Sequence, residues 1–128
     1  MSKQNLSLGK QGEELALKFL RKKGYKILES NYKTKLGEID IIATDKDAVC
    51  FVEVKLRNSL RFGLPQEAVS VVKQRQISKA ALQFLKINNL LDKKARFDIV
   101  SIINDPQTQV SNIDLIQNAF ELDDRYIY

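Results

Sequence analysis

The sequence contains no histidine and only one cysteine among its 128 residues. Without histidine the chain cannot build Ser-His-Asp or Cys-His nucleophile systems, histidine general bases or histidine-ligated metal sites. The single cysteine, Cys50, excludes an intrachain disulfide and a multi-thiolate zinc site, and its apolar neighbours indicate a core residue. Any chemistry must therefore use carboxylates and lysine, with or without a hard metal ion.

Long apolar segments are also missing. The N-terminus lacks the unbroken apolar stretch of a signal peptide, and no later segment approaches the roughly 18 apolar residues that a membrane span needs. A chain of 128 residues, 44% hydrophobic and 29% charged, is typical of one soluble globular domain. We therefore expect a single domain over residues 1–128, in the cytoplasm and without a membrane partner.

Positive charge is concentrated in the first hundred residues. Residues 1–100 have a net charge of +9, whereas residues 101–128 have a net charge of −4. A basic body with an acidic tail favours a polyanionic partner such as nucleic acid. A basic surface that keeps the protein soluble explains the same charge equally well.

Hydrophobic periodicity predicts an α/β fold with the order α-β-β-β-α-β-β. The predicted helices cover residues 7–23 and 70–91, and the predicted strands cover residues 25–32, 38–43, 49–55, 96–103 and 110–116. The short charged turn after the second strand predicts an antiparallel hairpin, and the helix between the third and fourth strands predicts a parallel crossover. The result is a mixed central sheet flanked by helices.

Three charged residues interrupt the apolar strands of the predicted hairpin. Glu53 and Lys55 share one face of their strand, and Asp40, on the same face as Ile42, joins them if the hairpin register brings the charged faces together. Burying such charges costs several kcal/mol per ion unless they are paired or bind a metal. Mg²⁺ prefers one or two carboxylates, so Asp40 and Glu53 are candidate ligands, and Lys55 could orient or deprotonate a water beside the ion. Alternatively, Glu53 and Lys55 form an ion pair on a solvated face, worth at most about 1 kcal/mol.

Helix one offers another carboxylate. Glu13 lies on the same stripe as Ala16 and Leu20, so it points toward the sheet. We interpret Glu13 as a candidate member of the same site. A glutamate at the helix edge, satisfied by first-turn amides or by a lysine, explains the pattern equally well.

Five short motifs occur in order along the chain. They are G-K-Q-G-E-x-x-A (residues 9–16), G-E-I-D-I-I-A (37–43), F-V-E-V-K-x-R (51–57), A-R-F-D-I-V (95–100) and N-A-F (118–120). Together they resemble the YraN-like family of the restriction-endonuclease-like, PD-(D/E)xK nuclease superfamily, over about residues 9–120. The family is in turn similar to archaeal Holliday junction resolvases. One departure is Ile39, which stands where the superfamily's nominal motif has a proline before the aspartate.

The resemblance implies roles for the charged residues. Glu13 matches the helix glutamate, Asp40 the motif aspartate, and Glu53 with Lys55 the E-x-K motif. It implies a Mg²⁺-dependent endonuclease, with Mn²⁺ as a second suitable ion, that acts on DNA rather than RNA, with branched or junction DNA as one candidate substrate. By analogy with the resolvases we also expect a homodimer. The alternatives are a nucleic-acid-binding module of a DNA-processing or recombination assembly that cuts little or nothing, and a structural protein with an ion-pair network.

Further polar residues are weaker candidates. Basic residues suited to phosphate contacts are Arg57, after the E-x-K motif, and Lys73, Arg75 and Lys79 on the second helix. Gln66 lies where some members of the superfamily place a glutamine near the metal. A solvated helix face explains the helix cations equally well. We interpret Asp98, on an apolar strand, as a structural partner for an arginine or a backbone amide.

Overall fold

The computed structural model describes residues 8–57, 69–104 and 111–120. The predicted order of elements is confirmed, and their bounds are α1 (Leu8–Lys22), β1 (Lys26–Lys33), β2 (Glu38–Asp45), β3 (Ala48–Arg57), α2 (Val71–Ile87), β4 (Lys94–Asn104) and β5 (Ser111–Phe120). Neither helix in these ranges is long and apolar enough to cross a membrane.

The five strands form one mixed sheet in the order β1-β2-β3-β4-β5. Strands β2 and β3 pair as the predicted antiparallel hairpin, from Ile41 opposite Val52 to Asp45 opposite Ala48. Strands β3 and β4 pair in parallel over their full shared length, as the crossover through α2 predicts. The outer pairs, β1 with β2 and β4 with β5, are antiparallel.

Each face of the sheet is covered by one helix. On one face, α1 buries Ala16 and Leu20 against strand residues that include Ile41, Cys50 and Val52. On the other face, α2 contributes an apolar stripe of Ile77, Ala80, Ala81, Phe84 and Leu85, as predicted from its period. The apolar residues beneath that stripe are Ile39, Ile42, Val49, Phe51, Phe97 and Ile99.

The prediction for the end of α2 is wrong by four residues. The helix begins after Ser70, whose hydroxyl accepts a hydrogen bond from the Lys73 N–H, and it ends at Ile87 rather than residue 91. Two asparagines stop it: the Asn88 side chain donates to the Phe84 carbonyl, and Asn89 adopts a positive φ of 56°. Asparagine tolerates this left-handed conformation better than most residues, so the helix terminates there.

The prediction for the end of β5 is also wrong, because the strand continues beyond residue 116 to Phe120. The register shifts between Phe97 and Ile99 of β4, and at this bulge the Asn118 N–H donates to an oxygen of Asp98 (2.9 Å). Beyond the bulge, the rings of Phe97 and Phe120 stack with centroids 4.7 Å apart. The Asp98 side chain therefore accepts a hydrogen bond from β5 at the bulge, and β5 continues to Phe120 although its hydrophobic periodicity ends at residue 116.

Candidate functional site

The site forms where β2 and β3 separate. Their regular pairing stops at Ile41 and Val52. Asp40 is the residue before Ile41 on β2. Its Oδ2 accepts a hydrogen bond from the Val54 N–H of β3 (2.9 Å), so a side chain takes the place of a backbone acceptor there. Asp40 thereby reaches Glu53, which is next after Val52 on β3.

Strict side-chain alternation does not describe β2 around Asp40. Ile39 and Ile42 both pack in the core beneath α2, whereas Ile41 packs in the core beneath α1. The predicted face shared by Asp40 and Ile42 is therefore not the reason for the convergence with Glu53. The irregularity allows Asp40 to occupy the gap between the two strands.

Asp40 and Glu53 line one cleft, and the charge of Glu53 acts on the Asp40 carboxyl group. Glu53 is 5% exposed, so it does not lie on a solvated sheet face. Burial, and after it the charge of Glu53, raise the pKa of Asp40 to about 6, although the Val54 amide and Lys73 act in the opposite direction. A nearby cation would stabilise the ionised forms of both carboxyl groups, because each carries a negative charge that burial and the other carboxylate disfavour.

Two lysines supply positive charge to Glu53. Nζ of Lys73, from the first turn of α2, lies 2.6 Å from Oε1 of Glu53, and Nζ of Lys55 lies 3.7 Å from the same oxygen. Burial acts to lower the pKa of Lys73, but the hydrogen bond and charge of Glu53 outweigh it and raise the pKa. We call Asp40, Glu53, Lys55 and Lys73 the carboxylate cluster.

Glu13 lines the same cleft as the carboxylate cluster but has its own partner. The cleft has a volume of about 260 Å³ and is closed on the α1 side by Gly12 and Glu13. The Asn31 side chain donates to Oε2 of Glu13 (3.0 Å). Across residues 8–57, 69–104 and 111–120, no three acidic, histidine or cysteine side chains are grouped closely enough to hold one metal ion. A role for Glu13 in metal binding stays a prediction.

The donor set of the carboxylate cluster fits a hard cation. Asp40 and Glu53 offer only oxygen atoms, as Mg²⁺ and Mn²⁺ prefer, and Mg²⁺ usually takes one or two carboxylates from a protein. Burial and the like charge of Glu53 raise the pKa of Asp40, and a bound cation would relieve the repulsion between the two carboxylates.

Close contact between β2 and α2 brings Lys73 to the site. Gly37 precedes β2, and a Cβ atom there would lie 2.7 Å from the backbone oxygen of Gln76, one turn after Lys73. Since no real Cβ atom tolerates such a distance to a backbone oxygen, the absence of a side chain at Gly37 permits this approach.

The remaining predicted nucleic-acid contacts that the structure describes do not line the cleft beside Glu13. Arg57 is half-buried at the end of β3, two residues beyond Lys55. On α2, Arg75 is half-buried and Lys79 is exposed. Gln66, predicted to lie near the metal, is outside the described residues.

A second buried charged group lies beneath α1. Asp98 is fully buried, and it accepts hydrogen bonds from the Tyr25 hydroxyl (2.8 Å), Nε of Arg96 (3.0 Å) and the Asn118 N–H (2.9 Å). Arg96 also pairs with Asp45 (2.8 Å). The interpretation of Asp98 as a structural partner of an arginine and a backbone amide is confirmed. We call Tyr25, Asp45, Arg96 and Asp98 the Asp98 cluster.

Sequence reasoning missed two features of the site. It placed Lys73 among cations that follow a DNA backbone, whereas its ammonium group contacts Glu53. It gave no role to Asn31, which adopts a positive φ of 54° and binds Glu13. Neither contact has a signal in the local sequence, because both join elements that are distant along the chain.

The fold and the site together define an α/β protein with a paired-carboxylate cleft at the point where two central strands diverge. The chain belongs to UPF0102, described as an uncharacterised protein family, whose model matches residues 12–102. This membership confirms the YraN-like part of the resemblance found in the motifs.

Several bacterial relatives match nearly the whole chain. A UPF0102 protein of Geobacter metallireducens is 52% identical over 95% of this chain and 98% of its own length. A UPF0102 protein of Syntrophus aciditrophicus is 50% identical over 93% of this chain and 92% of its own length. A UPF0102 protein of Caldicellulosiruptor saccharolyticus is 45% identical over 88% of this chain and 96% of its own length.

Proposed function

We propose that this protein is a cytoplasmic, divalent-metal-dependent endonuclease of the restriction-endonuclease-like kind that hydrolyses DNA phosphodiester bonds. The observation that supports it most is the pair of interacting carboxyl groups, half-buried Asp40 and buried Glu53, in a cleft that Lys55 also lines. A structural ion pair on a solvated face does not require such burial.

Each residue has a chemical role in this proposal. Asp40 and Glu53 would hold Mg²⁺ or Mn²⁺, and Glu13 would take part through a water molecule. When bound, the ion supplies positive charge that stabilises the phosphate in the transition state. Lys55 is 21% exposed beside Glu53, so its ammonium group can orient the attacking water and hold it in line with the scissile phosphate. Arg57 is a candidate contact to a neighbouring phosphate.

A cleavage assay tests this proposal. The full chain is incubated with linear, flapped and four-way DNA in Mg²⁺, Mn²⁺ or EDTA, and products are resolved on denaturing gels. We expect cutting only with a divalent ion, and a loss of about a hundredfold or more in rate for Lys55→Ala with DNA binding retained. Asp40→Asn should abolish cutting, and the exposed control Asp92→Asn should cut normally. Cutting that survives Asp40→Asn contradicts the proposed site.

A binding module that does not cut is the second candidate. It is favoured by the ammonium group of Lys73 on Glu53 and by the hydrogen bond that holds Glu13 to Asn31. Such a module would bind DNA in a salt-sensitive manner and give no products in the same assay. A structural protein would show neither cutting nor binding.

A further inference from the structure

Lys73 of α2 carries its charge against a carboxylate inside the site. Its side chain is 41% exposed, whereas that of its partner Glu53 is 5% exposed. Lysine carries a compact charge on a flexible four-carbon stem. The Lys73 ammonium group can therefore leave Glu53 for solvent or a ligand without a movement of α2.

Lys73 and Asp40 stand between two neighbouring clefts. One is the cleft that Glu13, Glu53 and Lys55 line, and the other has a volume of about 330 Å³ and is lined by Glu38, Asp40, Lys73, Gln76 and Ile77. A small rotation of the Lys73 side chain therefore moves its charge from one cleft toward the other.

The charges of the carboxylate cluster balance without a metal ion. Two carboxylates, Asp40 and Glu53, face two ammonium groups, Lys55 and Lys73. A divalent cation on the same carboxylates would compete with Lys73 for the oxygen atom that it contacts. It would also leave the cluster with an excess of positive charge, which favours an anionic ligand such as a phosphodiester.

We propose that Lys73 is an exchangeable counter-ion of Glu53, which yields Glu53 to a divalent cation and then contacts a phosphate of bound DNA. This rests on the proposed metal-dependent action on DNA. The metal and the nucleic acid are thereby coupled, because cation binding makes Lys73 available to the phosphate. Lys73 is thus a phosphate-contacting residue only in the metal-loaded protein.

The first test is metal binding by the full chain without DNA. Calorimetric titration with Mn²⁺ compares the wild type, Lys73→Met and a control on the last turn of α2, Lys86→Met. Because the competing charge is removed, we expect Lys73→Met to bind Mn²⁺ about tenfold more tightly, and Lys86→Met to match the wild type. Lys73→Arg keeps the ion pair and should bind Mn²⁺ as weakly as the wild type. Equal affinities for the wild type and Lys73→Met, or no binding by either, overturn the proposal.

The second test is DNA binding in Ca²⁺ and in EDTA at one salt concentration, measured by fluorescence anisotropy with a labelled four-way junction. We expect Lys73→Met to lose about tenfold in affinity with Ca²⁺ and less than about twofold in EDTA. An equal loss in both conditions overturns the exchange, since Lys73 would then contact DNA regardless of metal. Thermal melting of each variant confirms that it is folded.

The two proposals fail in different ways. If Lys73→Met tightens Mn²⁺ binding while no variant cuts DNA, the exchange holds and the hydrolysis does not. If the wild type cuts DNA while Mn²⁺ affinity is unchanged by Lys73→Met, the hydrolysis holds and the exchange does not.

Discussion

The carboxylate cluster and the Asp98 cluster each contain one buried carboxylate, Glu53 or Asp98, but their hydrogen bonding differs. Asp98 accepts hydrogen bonds from three donors on three different segments, and Arg96 joins it to Asp45. Asp40 accepts one backbone amide and lies beside a second carboxylate. A carboxylate bonded by several fixed donors stabilises the fold, whereas two adjacent carboxylates beside a cleft are suited to bind a cation.

The two clusters also differ in how accessible their carboxylates are to solvent. Asp98 has no exposed surface, and its partners come from Tyr25, just before β1, from β4 and from the bulge of β5. Asp40 borders two open clefts. The Asp98 cluster therefore holds strands together beneath α1, and the carboxylate cluster lies where solvent and ligands have access.

The largest expected effect is a difference in stability between two Asp→Asn variants, one in each cluster. Asp98→Asn removes the charge that Arg96 and Tyr25 face and replaces an acceptor oxygen with a donor, so it should lower the free energy of unfolding by about 3 kcal/mol. Asp40→Asn can keep the bond from the Val54 amide and relieves repulsion with Glu53, so it should change that free energy by less than about 1 kcal/mol. Urea denaturation at pH 7 measures both. Equal losses would contradict the functional distinction between the clusters.

The position of α2 provides the next comparison. Gly37→Ala places a Cβ atom against the Gln76 carbonyl, which must move, so we expect a loss of about 1 to 3 kcal/mol in stability. The matched control is Gly12→Ala in α1, whose added Cβ would meet Leu56 at an ordinary 3.8 Å, and it should be neutral or stabilising. Thermal or urea unfolding of both variants is the measurement. A stable Gly37→Ala would mean that α2 approaches β2 without need of this glycine.

The smallest effect is confined to high pH and to the Asp98 cluster. Burial, together with the hydrogen bond to Asp98 and its charge, raises the pKa of Tyr25 from 10.0 to about 12. Between these values the unfolded chain loses the phenol proton and the folded chain keeps it, so the wild type should lose up to about 2 kcal/mol of stability. Tyr25→Phe cannot titrate, so its stability disadvantage relative to the wild type should shrink as pH rises from 10 to 12. A constant difference across that range would contradict the account.

The order of elements along the chain and two of the four strand pairings could be predicted because they depend on local signals. Two apolar runs joined by a short charged turn predict the antiparallel pair, and the helix between β3 and β4 predicts the parallel pair. The ends of α2 and β5 could not, because one depends on a left-handed Asn89 and the other on a bond from the Asn118 amide to Asp98. Such contacts leave no periodic trace in the sequence.

The sequence predicts which residues form most of the candidate site better than it predicts how they are arranged. Asp40, Glu53 and Lys55 stood out as charges within apolar strands, and the structure brings them together. The way in which Asp40 approaches Glu53 was not predicted, because β2 is irregular at Asp40. The Asp40 carboxylate accepts a hydrogen bond from the Val54 amide instead of following the regular alternation of side chains. The contact of Lys73 with Glu53 depends on how closely α2 packs at Gly37, which is a tertiary feature.

The central claim is that Asp40 and Glu53 share one divalent cation. The most direct test is X-ray diffraction from crystals of the full chain grown or soaked with MnCl₂, with data collected at a wavelength where manganese scatters anomalously. The account predicts an anomalous peak between the two carboxylates with metal to oxygen distances of about 2.1 Å, and the Lys73 ammonium group displaced from Glu53. An ordered site with Lys73 still on Glu53 and no anomalous peak at Asp40 would contradict it.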